Sequence, residues 1–169
     1  MTAARLATIW LSGCSGCHMS LLNLHGQLLE LLQNCRLVYS PLADVKEYPE
    51  GVDIALVEGA VGNEENLAMA KRIRERTKMV VSLGDCAVNG NVAGLRNPVG
   101  LNTALNVAYG HNSSRGEGWS NDVPLLLPVA LPLHHVIRVD AFIPGCPPLP
   151  EEIGQAVERL VRQLANDDQ

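Results

Sequence analysis

Short apolar runs, typical of strands covered on both faces, alternate along this chain with amphipathic segments typical of helices. The apolar runs predict strands at residues 6–11, 36–39, 53–57, 79–83 and 136–142. Apolar positions spaced three or four residues apart predict helices at residues 19–32 and 149–165. A helix over residues 64–77 is predicted by Asn63, which can cap it, and by Glu64 and Glu65 in its first turn. Strands that alternate with helices in this way predict an α/β fold with a mainly parallel sheet.

The stretch between residues 84 and 132 interrupts this alternation. It is rich in Gly, Asn and Pro, and it predicts irregular chain with a short helix near residues 101–109 and a polar loop over residues 111–122. An irregular stretch of this length in a compact domain usually serves a function or is covered by a partner.

Length and composition predict one globular domain over residues 1–169, because 47% of the 169 residues are hydrophobic. The formal net charge of −5 gives no reason to expect binding to nucleic acid or to an anionic membrane surface. The apolar runs are far shorter than the roughly 20 residues that span a bilayer. The N-terminus shows no export signal, so we expect a cytoplasmic protein without a membrane span.

Four of the five cysteines follow predicted strands. Cys14 and Cys17 form a Cys-x-x-Cys pair after the first strand, Cys86 follows the fourth strand, and Cys146 follows the last. Because the carboxyl ends of parallel strands meet at one edge of a sheet, we expect these four thiols to converge there. In a reducing compartment such cysteines are better interpreted as metal ligands or redox groups than as disulfides. Cys35, between a helix and a strand, is expected in the core.

Thiolates are soft ligands that favour zinc, copper(I) or iron–sulfur clusters, and four cysteines are the set that a 4Fe-4S cluster needs. A structural zinc site would more often show two close cysteine pairs, whereas this chain has one pair and two single cysteines. The spacing therefore favours a cluster, with a zinc-stapled scaffolding module as the alternative.

Four segments in combination resemble the small subunit of nickel–iron hydrogenases: GCSGCHMS at residues 13–20, VEGAV at 57–61, GDCAVNGN at 84–91 and PGCPP at 144–148. The resemblance spans nearly the whole chain and is strongest to the small subunit of cytoplasmic, bidirectional NAD-reducing hydrogenases. It implies a flavodoxin-like, three-layer domain that holds one proximal 4Fe-4S cluster. The cluster ligands that it implies are Cys14, Cys17, Cys86 and Cys146.

The same resemblance implies an electron-transfer subunit with no catalytic residue of its own. Dihydrogen would react at a nickel–iron centre in a large subunit, and electrons would pass through the cluster to diaphorase iron–sulfur and flavin subunits that reduce NAD. The chain carries no nicotinamide-binding fingerprint, so a related small subunit serving a quinone, F420 or ferredoxin is the alternative. FMN is expected on a partner; its binding to this chain stays open, although residues 13–17 replace the phosphate loop of flavodoxins.

Differences between this chain and the wider family limit the number of clusters that we expect. The chain lacks the leader and the cluster-bearing C-terminal domain of periplasmic small subunits, so one cluster is expected. It also lacks the adjacent cysteines of the related complex I subunit.

Two residues near the predicted cluster each have two possible interpretations. Glu58 is either a structural carboxylate that accepts backbone N–H groups or a docking or proton-transfer group, and His18 either hydrogen-bonds the cluster or packs at a helix start.

Overall fold

Seven strands and seven helices follow one another over the part of the chain that the computed structural model describes, residues 3–110 and 123–167. The strands are β1 (Ala4–Trp10), β2 (Cys35–Tyr39), β3 (Val52–Glu58), β4 (Val61–Asn63), β5 (Thr77–Leu83), β6 (Leu126–Leu131) and β7 (Ala141–Ile143). The helices are α1 (Gly16–Leu22), α2 (Gly26–Asn34), α3 (Glu64–Arg76), α4 (Gly84–Asn89), α5 (Asn91–Gly94), α6 (Leu101–Tyr109) and α7 (Pro150–Asp167). Within these ranges, every helix is too short or too polar to cross a membrane.

Five strands form one parallel sheet in the order β2-β1-β3-β5-β7. Counted among themselves, these strands have the order 2-1-3-4-5 of flavodoxin. Successive residues of the central strands face two separate hydrophobic cores, as Leu56 and Val57 show. One core packs against α3, and the other packs against α1, α2 and α7. The predicted flavodoxin-like, three-layer α/β fold is therefore confirmed.

The leucine-rich segment after the cysteine pair forms two helices, where the sequence predicts one. α1 ends at Leu22 and α2 begins at Gly26, with His25 between them at a φ of 49°. Leu24 lies in this break and is buried against Gly154 of α7. The prediction of one helix is wrong because leucines on both sides of the turn face the same core, so their spacing does not reveal it.

The helix predicted after Asn63 is confirmed, and so is its cap. The Asn63 side chain accepts the N–H of Asn66 at 2.7 Å. Glu64 and Glu65 stand in the first turn, where the helix dipole favours negative charge. This helix delivers the chain to β5, the strand that leads directly to Cys86.

The interrupted stretch after residue 84 is more ordered than predicted. The expected short helix is confirmed as α6, but α4 and α5 precede it and were missed. β6 pairs antiparallel with β4 in a small second sheet that was also missed. β4 has three residues, too few for a period-two pattern to be recognised. The predicted loop over residues 111–122 lies outside the described residues.

The last strand is shorter than predicted and begins later. The sequence predicts a strand over residues 136–142, but only Ala141–Ile143 pairs with β5, after a 3-10 turn at Leu133–His135. The Asp140 carboxylate just before β7 accepts the N–H of Val80 at 2.8 Å and pairs with Arg74 at 2.5 Å. The backbone N–H of Asp140 also donates to the Val80 carbonyl at 2.8 Å, so the backbone and the side chain of Asp140 together hold the start of β7 against β5. The final helix is confirmed as α7.

Candidate metal centre

Three loops at the carboxyl end of the parallel sheet carry the four cysteines that the sequence singles out. Cys14 and Cys17 follow β1, Cys86 lies in α4 directly after β5, and Cys146 follows β7. The other three thiols lie near enough to Cys17 for their charges to act on its pKa. The structure therefore brings the four thiols to one region. Cys35 lies apart in the core with 1% of its surface exposed, as predicted.

Direct hydrogen bonds join these three loops. The N–H of Asp85 donates to the carbonyl of Gly145 at 2.9 Å, and the N–H of Gly145 donates back to the Asp85 carboxylate at 2.8 Å. The hydroxyl of Ser20 in α1 donates to the carbonyl of Pro148 at 2.5 Å. The loops after β1, β5 and β7 are thus held in fixed relation to one another.

The Cys17 thiol packs directly against the backbone of Gly84. A Cβ atom at Gly84 would lie 2.2 Å from Cys17 Sγ, and its φ of +78° is in the left-handed region that favours glycine. Cys17 and Cys86 are buried, whereas Cys14 and Cys146 are exposed. The group of thiols therefore has a buried side against the sheet and an open side toward the surface.

Burial opposes ionisation of the two inner thiols. Burial, then the charges of Glu58 and the other cysteines, raises the pKa of Cys17 from 9.0 to about 12. Burial also raises the pKa of Cys86, although N–H groups of Val92 and Ala93 act in the opposite direction. Both groups are therefore thiols at neutral pH in the metal-free chain. Because metals bind the thiolate, a metal or cluster that bound there would displace the protons of these two thiols.

N–H donors also point at two of the sulfurs from α5, the one-turn helix that follows α4. The backbone N–H groups of Val92 and Ala93 act on the Cys86 sulfur, and Asn91 Nδ2 lies 3.2 Å from Cys146 Sγ. Donors of this kind stabilise negative charge on cysteine sulfurs that bind a cluster. Sequence reasoning missed Asn91 as a contact of Cys146, because 55 positions separate the two residues.

A zinc ion and an iron–sulfur cluster require different distances between the four sulfur atoms. Among the described side chains, no three of His, Cys, Asp or Glu are grouped as ligands of one metal ion. A tetrahedral zinc ion with Zn–S bonds of about 2.3 Å would hold its sulfurs roughly 3.8 Å apart. A cubane distributes four thiolates over four iron atoms and so sets their sulfurs farther apart. The chemistry of this site fits such a cluster. The site has four soft sulfur donors, N–H groups that point at sulfur and, at Gly84, backbone without a side chain.

A buried histidine–glutamate pair lies beside Cys17. Glu58 Oε2 accepts the backbone N–H of His18 at 2.9 Å and lies 2.5 Å from His18 Nδ1. Glu58 is 1% exposed and His18 is 3% exposed. His18 Nε2 is buried and has no hydrogen-bond partner among the described residues. Glu58 thus accepts a backbone N–H, as its structural interpretation expected, and His18 packs at the start of α1.

Comparison with known proteins places the chain in one family. Residues 14–160 match the family described as NADH ubiquinone oxidoreductase, 20 kDa subunit. The chain is 44% identical over 162 residues to a subunit of the F420-non-reducing hydrogenase vhu of Methanocaldococcus jannaschii, covering 94% of this chain and 56% of that protein. It is 37% identical over 163 residues to the delta subunit of the NAD-reducing hydrogenase HoxS of Cupriavidus necator, covering 93% of this chain and 78% of that one. The chain spans about half the length of the F420-non-reducing hydrogenase relatives that it matches.

A solved structure is similar over nearly the whole chain. A crystal structure of an NAD+-reducing [NiFe]-hydrogenase in the H2-reduced state contains a chain that is 35% identical to this one, with a TM-score of 0.88. The superposition covers 96% of this chain and 93% of that chain. The parallel sheet and the three cysteine loops described above therefore belong to an architecture already seen in a hydrogenase.

Proposed function

Because the chain belongs to the family of the NADH ubiquinone oxidoreductase 20 kDa subunit, we propose that it is the electron-transfer small subunit of a NAD-reducing nickel–iron hydrogenase. The observation that carries this proposal is the meeting of four cysteines from three loops at the carboxyl edge of the sheet. In the proposal, one domain holds one 4Fe-4S cluster. Its ligands are Cys14, Cys17, Cys86 and Cys146.

The residues of this chain bind and shield the cluster; a bound cluster of this type takes up and releases single electrons. Cys17 and Cys86 provide the buried side of the site, and the close backbone of Gly84 leaves room for the Cys17 sulfur. N–H groups aimed at the sulfurs favour their negative charge. Glu58 fixes the backbone of His18, the residue after Cys17, and thereby the start of α1.

Exposed apolar side chains beside the cysteine loops support docking of a large subunit on this face. Trp10, Met19, Val92 and Leu149 are 48%, 54%, 59% and 61% exposed, and each lies within a few residues of one of the cysteine loops or of the turn between α4 and α5. A partner that covers the cysteine loops would also bury these apolar side chains. We expect an obligate interface above about 2,000 Å² with the subunit that carries the nickel–iron centre.

Two candidate functions differ in the electron acceptor that the hydrogenase would serve. The superposition with a chain of an NAD+-reducing hydrogenase favours NAD, reached through diaphorase iron–sulfur and flavin subunits in the cytoplasm. The 44% identity to a subunit of an F420-non-reducing hydrogenase favours, as the second candidate, the same cluster serving a different acceptor. Mass spectrometry of chains that co-purify with this one distinguishes the two. Flavin-bearing diaphorase chains support the first candidate, and their replacement by other redox subunits supports the second.

Iron analysis of the anaerobically purified complex tests the cluster itself. About four irons and four acid-labile sulfides per copy of this chain are expected from a 4Fe-4S cluster. Serine variants at the four proposed ligands are expected to lower the iron content: Cys14→Ser, Cys17→Ser, Cys86→Ser and Cys146→Ser. Cys35→Ser is the matched control, since its sulfur contacts the Leu31 carbonyl in the core, and iron should stay at the wild-type level. A colourless protein with one zinc would instead support the scaffolding alternative.

A further inference from the structure

A side-chain hydrogen bond links the turn after Cys86 to a proposed ligand on another loop. Asn91 Nδ2 lies 3.2 Å from the Sγ atom of Cys146. A thiolate accepts hydrogen bonds and donates none, so the NH2 group of the amide, not its oxygen, suits this contact. The contact joins a polar side chain that the cluster does not need as a ligand to one of the two exposed sulfurs.

The backbone of Asn91 is held in an unusual conformation to make this contact. Its φ is +27°, a region that residues other than glycine seldom occupy. The N–H of Asn91 is fixed at 2.9 Å by the side chain of Asn89. The same turn aims the N–H groups of Val92 and Ala93 at Cys86. Strained backbone persists where the surrounding structure requires it, and here it places donors on two sulfurs at once.

We propose that Asn91 is a positioning residue that raises the reduction potential of the cluster through its hydrogen bond to Cys146. The inference rests on the proposed function, because it requires the cluster to be present. Reduction adds negative charge that spreads onto the cysteine sulfurs, so an N–H donor stabilises the reduced form more than the oxidised form. Loss of the donor is expected to lower the equilibrium constant for one-electron reduction about tenfold, which corresponds to about 59 mV.

Three substitutions separate the hydrogen bond from the backbone strain. Asn91→Ala removes the amide and keeps a Cβ atom at positive φ, whereas Asn91→Gly removes the amide and relieves the strain. If the hydrogen bond sets the potential, both variants shift it equally, while thermal stability is higher for the glycine variant. Asn91→Asp keeps the shape but sets a carboxylate against the sulfur, so its potential should fall further. Asn102→Ala, at an exposed position of α6, is the control that leaves the potential unchanged.

The test is a potentiometric titration of the anaerobically purified complex followed by electron paramagnetic resonance, with iron and sulfide measured on each sample. A midpoint about 59 mV more negative in Asn91→Ala and Asn91→Gly, with full iron content, supports the inference. An unchanged midpoint in both variants with full iron content overturns it and leaves the proposed function intact. If the alanine variant loses iron, the unstrained glycine variant decides. A wild-type complex without a cluster overturns the proposed function and the inference together.

Discussion

Gly84 is the position where one added carbon should do most damage to the candidate site. In Gly84→Ala the new Cβ would lie 2.2 Å from Cys17 Sγ and 3.4 Å from the Gly145 carbonyl oxygen. Favourable contact between such atoms lies near 3.5 Å, so the thiol or the backbone at Gly84 must move by roughly 1 Å. The φ of +78° adds about 1–2 kcal/mol for a residue with a side chain, and overpacking adds about 1–3 kcal/mol. The expected loss of stability is therefore about 2–5 kcal/mol.

Gly100 supplies a matched control for the backbone part of this loss. Its φ is +83°, and a Cβ there would have no other atom within 4 Å. Gly100→Ala should therefore cost only the conformational term, about 1–3 kcal/mol for a residue with a side chain at a φ of +83° and a ψ of 148°, and keep its iron. In Gly84→Ala the unfolding midpoint should fall further, by about 2–4 °C for each additional kcal/mol in a chain of this size. Iron should be lost as well, because the displaced sulfur is a proposed ligand.

The assay is thermal unfolding of both variants and the wild type, combined with iron analysis of each purified complex. Equal drops in midpoint for the two variants, with full iron in both, would refute the reasoning. Such a result would mean that the Cys17 thiol moves aside at no cost, and therefore that the close approach of Gly84 does not define its position.

Two further predictions concern the buried carboxylate of Glu58 and the partly buried carboxylate of Asp140. Glu58→Gln should lower the free energy of unfolding by about 1.5–3 kcal/mol, because the contacts of Glu58 with His18 lose a charged acceptor. Glu30 is exposed, so the control variant Glu30→Gln should have little effect. Equal denaturant midpoints for the two variants would contradict this prediction. Burial alone would raise the pKa of Asp140, but a backbone N–H and Arg74 hold this pKa below its usual 3.8. The ionised Asp140 therefore stabilises the folded protein above about pH 4, and this contribution is lost as the pH falls through the folded-state pKa. Asp140→Asn should therefore be less stable than wild type at pH 7 and lose less stability on acidification, and parallel pH–stability curves would argue against this role.

The sheet could be predicted because its signal is local. Each central strand is a continuous apolar run, since both of its faces are buried, as Ile54 and Ala55 show in β3. Parallel topology then places every strand's carboxyl end at one edge, so the loops of Cys14 and Cys86 could be assigned to the same region without any coordinates. The residue type of each proposed ligand is likewise visible in the sequence.

Two of the errors share a physical origin, which is contact between residues far apart in the chain. Two helices look like one when the leucines on both sides of a turn face a shared core, as happens around Leu24. The predicted strand before Phe142 begins late because Val136 and Ile137 bond back to the 3-10 turn at Leu133, and pairing with the neighbouring strand starts only near Asp140. Nothing in the residues around either position records the distant partner that decides the outcome.

The same distinction applies within the candidate site. Which residues could bind a metal depends on thiol chemistry, and this is a property of each cysteine alone. How readily each thiol ionises depends on neighbours from other loops: burial and Glu58 raise the pKa of Cys17, while N–H groups of α5 partly offset the burial of Cys86. The exposed sulfur of Cys146 has a hydrogen-bond donor in Asn91, which belongs to the segment that follows Cys86. The identity of each proposed ligand can therefore be predicted from its own loop. The electrostatic environment that would set the reduction potential of a cluster forms only when the sheet brings the loops after β1, β5 and β7 together.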